Sequence, residues 1–203
     1  MSKAKKIKVA ITGNIGSGKS TFTKFLFEAD YPVILADDIS KEILSSDPEV
    51  KTEVINEFGA ESFHGNKINK KYIADNIFSD PKKLKKINSI LHPRVRKRIE
   101  YLSEEYFKTN DIVFIEAALI FESKIEKMYD YVVLITADKN IRMKRSTVTK
   151  KISEEDFVKR DNNQLKEDLK KKNADFIFTN DGTISELKRK AILLINLLKP
   201  TLK

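Results

Sequence analysis

The densest chemistry in the chain lies near its N-terminus, in Gly13-Asn14-Ile15-Gly16-Ser17-Gly18-Lys19-Ser20, followed by Thr21. Glycines at these spacings let a backbone curl until successive N–H groups point at one spot. A helix starting there adds the partial positive charge of its unsatisfied first N–H groups. Such a loop grips phosphate. The pattern Gly-x-x-x-x-Gly-Lys-Ser adds a lysine able to reach the outer phosphates of a nucleoside triphosphate, and on Ser20 a hydroxyl of the kind that ligates Mg²⁺. Three of the chain's six glycines fall within positions 13–18, which argues against an accidental turn. The predicted triphosphate contacts are Asn14, Gly16, Ser17, Gly18, Lys19, Ser20 and Thr21, with the metal on Ser20.

The surrounding elements suit that task. Residues 6–12 (K-I-K-V-A-I-T) read as a short β-branched strand halted by Gly13. Phe22, Phe25, Leu26 and Ala29 then fall at helical spacing, and Tyr31-Pro32 ends that helix. A second strand is predicted over 33–36, and Asp37-Asp38 opens another helix. Between about 48 and 108 the pattern predicts consecutive helices and no strand: Val50, Val54, Ile55 and Phe58, then Tyr72, Ile73 and Ile77. Pro81 and Pro93 are each suited to a first helical turn. Residues 112–115 and 131–136 are buried-strand runs, 138–172 is charged and helix-prone, and 175–179 is the last strand. Thr183 and Glu186 form a capping box ahead of Leu187, Ala191, Leu194 and Leu198. This order predicts an α/β fold whose parallel sheet is covered on both faces.

Composition removes several classes. The chain has no cysteine, so disulfides, thiolate metal sites and cysteine nucleophiles are excluded. The basic N-terminus is followed by a very short apolar run, and no stretch approaches the roughly 18 apolar residues of a membrane span. The expectation is a soluble, cytoplasmic protein without a membrane partner. The net charge of +9 is spread over predicted helices (Lys82, Lys83, Lys85, Lys86, Lys97, Lys170 to Lys172) without interleaved aromatics. That reads as solvated helix faces, and no nucleic-acid partner is expected.

A phosphate loop alone does not choose among kinase, GTPase and motor. The guanine-selecting Asn-Lys-x-Asp is missing, since Asn66-Lys67-Ile68-Asn69 lacks the final Asp, and 203 residues leave no room for a motor's further domains. Glu116, after the third strand, either steadies a water of the magnesium ion or is an ordinary strand-end carboxylate. Asp37 follows the second strand, and ligand crevices in parallel sheets border the carboxyl ends of strands. A carboxylate there can take the proton of an attacking hydroxyl and hold Mg²⁺ through water, or it can cap the helix carrying Ile39, Ile43 and Leu44. On that evidence Asp38 serves equally well.

Taken together, the motifs resemble the dephospho-coenzyme A kinase family from the first strand to the last helix. The family opening T-G-G-I-G-S-G-K-S-T stands as Thr12 to Thr21 with Asn14 for one glycine, and D-A-D-x-I stands as Leu35-Ala36-Asp37-Asp38-Ile39. The resemblance assigns the base to Asp37, while Leu35 replaces the family's other Asp. G-x-L-[ND]-R reads as Gly65 to Lys70, and Lys70 lacks the bidentate fork of an arginine. L-x-x-[IL]-N-x-I-x-H-P is present from Leu84 to His92-Pro93, and P-L-L-x-E becomes Ala118-Leu119-Ile120-Phe121-Glu122. The arginine lid is represented by Arg142 and Arg145, three apart where the family has four. Arg160 with Gln164 fits R-x-x-x-Q, and Ala174-Asp175 with Asn180 and Gly182 fits the family's ending.

The resemblance implies a P-loop NTPase-type three-layer sandwich with a parallel five-stranded sheet, a helical acceptor-binding insertion and a helical lid. The core would be 1–47, 109–137 and 173–203, the acceptor lobe about 48–108 and the lid about 138–172, in one kinase domain. It implies ATP and dephospho-coenzyme A as substrates, Mg²⁺ with the ATP, and a monomer or weak homo-oligomer. The implied catalytic residues are Asp37, Lys19, Arg142 and Arg145, with Asp37 also toward the metal. Asn180 would join the ATP contacts, and Lys70, His92, Leu119, Phe121 and Glu122 would bind the acceptor.

Overall fold

The computed structural model describes residues 5–65, 67–77 and 80–202, with the backbone alone at 70, 74, 77, 81, 150 and 202. The first residues of the basic N-terminus (1–4) and Asn66 of the Gly65–Lys70 motif therefore lie outside the described part. The chain divides into two compact units, residues 1–35 with 102–203, and residues 36–101.

The first unit is built on five parallel strands: β1 (Ile7–Thr12), β2 (Val33–Leu35), β5 (Ile112–Glu116), β6 (Tyr131–Thr136) and β7 (Phe176–Thr179). Their order is β2-β5-β1-β6-β7. The central strand β1 is apolar and buried along nearly its whole length, as a parallel strand covered on both faces must be. Ile7, Val9 and Ile11 face α1 (Lys19–Phe27) and α9 (Ile184–Leu198), meeting Phe22, Phe25 and Leu26 from the former and Leu187, Ala191, Leu194 and Leu198 from the latter. Ala10 and Val132 point the other way, into a cluster with Ile120, Phe121 and Leu165. The result is a three-layer α/β sandwich. The capping box of α9 is present: Glu186 N donates to Thr183 Oγ1 (3.2 Å), and Thr183 N donates to Glu186 Oε2 (3.0 Å). Helices α6 (Lys139–Lys150), α7 (Glu154–Asn162) and α8 (Glu167–Lys171) occupy the charged stretch between β6 and β7. Asp138 caps α6 and Ser153 caps α7.

The second unit contains α2 (Ala36–Ser46), α3 (Pro48–Phe58), the pair β3 (Phe63–His64) and β4 (Lys67–Ile68), α4 (Lys70–Ile77) and most of α5 (Pro81–Tyr106). Its core gathers Val50, Val54, Phe58, Phe63, Ile73, Ile87, Ile90 and Leu91. Asp47 caps α3, accepting from Glu49 N (2.9 Å) and Val50 N (3.2 Å), with Pro48 in the first turn where its missing N–H costs nothing. Arg94 of α5 meets Asp47 (3.8 Å), Glu49 (3.6 Å) and Glu53 (2.6 Å), fastening α5 to α3.

Two expectations for this segment are corrected. It does hold strand, an antiparallel hairpin turning at Gly65 in the left-handed region (φ 61°); arms of two residues are too short to show an alternating pattern. Pro93 does not start a helix but lies inside α5. Burial of Ile87, Ile90 and Leu91 before it and of Val95 and Ile99 after it outweighs the lost hydrogen bond. Among the described residues, no helix is long and apolar enough to cross a membrane.

Candidate active site

The phosphate loop leaves the carboxyl end of β1, between its neighbours β5 and β6. Ser17 N donates to Asn14 O (3.1 Å), closing the curl. Gly16 (φ 78°) and Gly18 (φ 96°) sit where side chains are disfavoured. Space forbids them as well. A Cβ on Gly16 would overlap Arg142 O and lie 2.7 Å from Ser146 Oγ, and one on Gly18 would run into the Asn180 amide. Gly18 is the cap residue of α1 and gives no side-chain cap, which leaves the first N–H groups of that helix for an anion.

Lys19 Nζ folds along the loop, donating to Gly13 O (2.7 Å) and reaching Asn14 O (3.5 Å). Ser20 Oγ donates to Glu116 Oε1 (2.8 Å), and Thr23 Oγ1 donates to Glu116 Oε2 (2.7 Å). Glu116, the last residue of β5, thus fixes two hydroxyls of the first turns of α1. The hydroxyl and carboxylate gathered at Ser20 are hard oxygen donors, a set that suits Mg²⁺.

The charged stretch between β6 and β7 braces the same loop. Arg142 of α6 is 5% exposed. It donates through Nη1 to Ile15 O (3.2 Å) and to Asp161 Oδ1 (2.6 Å), and through Nε to Ala137 O (3.1 Å). Its guanidinium also lies over the buried Phe157 ring, 5.8 Å from the centroid. Gln164 Oε1 accepts from Ile15 N (2.7 Å). Arg145 donates from Nη1 to Asn180 O (2.8 Å). Asn180, 7% exposed, donates from Nδ2 to Ser17 O (2.8 Å) and from its backbone N to Thr136 O (2.7 Å). Sequence reasoning had given Asp161, Thr23 and Gln164 no part in the loop. The available signal for Gln164 was its place in the Arg160-x-x-x-Gln164 pattern.

The residues of this unit expected to bind the acceptor follow β5. Glu122 pairs with Lys170 of α8 (2.8 Å), whose side chain is fully buried, and Glu122 Oε1 also accepts from Leu165 N (2.8 Å). Phe121 is 7% exposed in the cluster around Ala10 and Val132. Leu119 is half-buried, and its carbonyl accepts from Ser123 N (3.1 Å).

In the second unit Asp37 is exposed in the first turn of α2, with no hydrogen bond or ion pair among that unit's described residues, whereas Asp38 is taken by Lys41 (2.6 Å). His92 is half-buried in the middle of α5. Desolvation, then the charge of Arg96, lowers its pKa below the ordinary 6.5. Lys70 opens α4, and its side chain lies outside the described residues. Asn69, next to it in the same motif, accepts from Tyr72 N (3.2 Å) and donates to Glu61 O (3.0 Å).

A parallel sheet in this order, with a lysine-bearing phosphate loop after its central strand and helices inserted in the chain between β2 and β5 and between β6 and β7, defines a P-loop kinase. The profile of the dephospho-CoA kinase family matches residues 7–186, so the chain belongs to that family. A dephospho-CoA kinase from Bacteroides fragilis is 32% identical over 87% of this chain and 85% of its own length. The crystal structure of a Thermus thermophilus protein matches 96% of this chain and 98% of its own, at 30% identity and a TM-score of 0.80. A dephospho-CoA kinase structure from Campylobacter jejuni covers 93% of this chain and 95% of its own, at 26% identity and a TM-score of 0.68.

Proposed function

We propose that this chain transfers the γ-phosphoryl group of ATP to the ribose 3′-hydroxyl of dephospho-coenzyme A. The observation that carries the reading is the family correspondence over residues 7–186, a range that includes the phosphate loop, the helical unit and the α6–α8 stretch. The curled backbone of 16–21 binds the triphosphate, and Lys19, already lying along the loop, moves onto its outer phosphates. Ser20 and Glu116 would hold Mg²⁺, with Asp37 as a further carboxylate toward it; when bound, the ion neutralises charge on the phosphates.

Asp37 orients the acceptor hydroxyl and accepts its proton as the oxygen attacks phosphorus. Both aspartates are exposed, and the engagement of Asp38 by Lys41 supports Asp37 over its neighbour. Arg145 is the better candidate for the arginine that meets the transferring phosphoryl, because the guanidinium of Arg142 is buried against Asp161 and Phe157. Residues 48–108 form the acceptor lobe, with His92 and Lys70 as its polar contacts, and Leu119 also contributes to acceptor binding. Residues 138–172 form the lid that excludes water, which would otherwise compete with the hydroxyl. Phe121 and Glu122, assigned to acceptor binding, are held from the core side by packing and by the Lys170 pair.

The test is ADP release in a coupled assay with Mg²⁺, run with dephospho-coenzyme A and with a panel of nucleosides and nucleoside monophosphates. Turnover that needs dephospho-coenzyme A supports the proposal. Turnover with a nucleoside in its place overturns the acceptor assignment while leaving the kinase reading intact.

A further inference from the structure

Ile15 is apolar, and its side chain offers a triphosphate nothing, yet its backbone is held at both polar atoms by side chains from far along the chain. Gln164 Oε1 accepts its N–H (2.7 Å), and Arg142 Nη1 donates to its C=O (3.2 Å). A trans peptide points its C=O and N–H in opposite directions. Turning the Ile15 N–H toward Gln164 therefore turns the Asn14 C=O the other way, where it accepts from Ser17 N (3.1 Å) and meets Lys19 Nζ (3.5 Å). By the same geometry, drawing the Ile15 C=O toward Arg142 turns the Gly16 N–H away from α6. Two consecutive peptide planes are thereby oriented from outside the loop. Arg142 is itself oriented by Asp161 Oδ1 (2.6 Å) and Ala137 O (3.1 Å), and Gly16 is pressed so close to Arg142 O that no Cβ fits between them.

We infer that Arg142, Asp161 and Gln164 form a clamp on the Ile15 peptide that sets the phosphate loop in its nucleotide-binding shape, so that these three side chains control ATP affinity without touching ATP. In this arrangement Arg142 and Gln164 are positioning residues. The charge of Arg142 is spent on Asp161, and its effect on phosphate travels through the direction of the Gly16 N–H. The clamp concerns nucleotide binding and does not depend on which alcohol is phosphorylated.

Gln164→Met removes the acceptor at nearly constant shape, and Gln164→Glu keeps it. Binding of ADP and of ATP with Mg²⁺ is measured by titration calorimetry, alongside melting temperature and the KM of each substrate. Gln164→Met weakens both nucleotides by about 3- to 10-fold, the scale of one lost hydrogen bond, with the KM for the acceptor unchanged. Gln164→Glu restores the affinity. A general loosening of the fold would move both KM values and would not be rescued.

A folded Gln164→Met protein that binds ADP as the wild type does overturns the clamp. If that variant does not fold, Asp161→Asn decides: a weaker hold on Arg142 raises the Kd for ADP, and an unchanged Kd overturns the inference. Wild-type protein that binds ATP but ignores dephospho-coenzyme A defeats the proposed acceptor and leaves the clamp standing.

Discussion

The loop-bearing unit and the helical unit use their polar residues in opposite ways. Around the phosphate loop the functional groups hold one another: Glu116 holds Ser20 and Thr23, Asn180 holds Ser17, and Arg142 with Gln164 holds Ile15. In the helical unit Asp37 stands exposed, and a dense polar cluster, Arg94 with Asp47, Glu49 and Glu53, ties helix to helix. The nucleotide end is thus built before its ligand arrives, and donors fixed in advance cost no reorganisation when charge develops.

Removing Lys19 or Asp37 separates the two regions most sharply. Lys19→Ala should lower kcat/KM by at least about 10²-fold and weaken ATP binding as well, since it removes a charge from a built site. Asp37→Asn should cost at least about 10²-fold in kcat, with the calorimetric ATP affinity measured without Mg²⁺ unchanged. Wild-type turnover by Asp37→Asn would remove the helical unit from the chemistry.

Glu116→Gln tests the bracing of the nucleotide end at a smaller scale. It keeps the shape but loses the charge and one of the two oxygens that accept separately from Ser20 and Thr23. Apparent Mg²⁺ affinity should fall by about 10- to 100-fold, as when a group that orients a metal ligand is altered. The loss should shrink as Mg²⁺ is raised. A Mg²⁺ titration curve identical to the wild type would mean that Glu116 only packs the start of α1.

What could be read from the sequence followed the range of the forces involved. The loop and the strands around it were legible because each residue type answers to its own backbone: glycine at a left-handed turn, unbroken apolar runs in a parallel sheet, a threonine and a glutamate capping a helix. The hairpin at 63–68 was missed because arms of two residues carry no period. Pro93 was misjudged because local propensity yields to burial on both sides of it. Ile15–Gln164 and Ser17–Asn180 join residues 149 and 163 apart, and no spacing rule connects such distances. Arg142 shows the same limit. Asp161 and Phe157, which surround it, lie in a different helix, and no spacing from Arg142 points to them.

In the helical unit, Arg94→Ala should cost only about 1 kcal/mol, near the upper end for partly exposed ion pairs, because its partners stay solvated. Thermal unfolding would register this as a fall of about 2–4 °C. ATP affinity should not change, which distinguishes this polar cluster from the one around Arg142.

The smallest effect expected is that of His92 on the pH dependence of stability. Burial and Arg96 lower its pKa in the folded protein below 6.5, so folding favours the neutral imidazole. Above pH 6.5 the ring is neutral in both folded and unfolded chains and contributes no slope. As pH falls through 6.5 toward the lower folded value, the unfolded chain takes up a proton that the folded protein still refuses, and stability declines. Below the folded value both forms are charged and the decline stops. His92→Gln should flatten this part of the stability profile while leaving the carboxylate-driven loss at lower pH in place. Denaturant midpoints measured between pH 7 and 5 for the two proteins provide the check. Parallel curves would show that the imidazole is solvated well enough to titrate as it does in the unfolded chain, and would remove the packing around His92 as a reason for its place in α5.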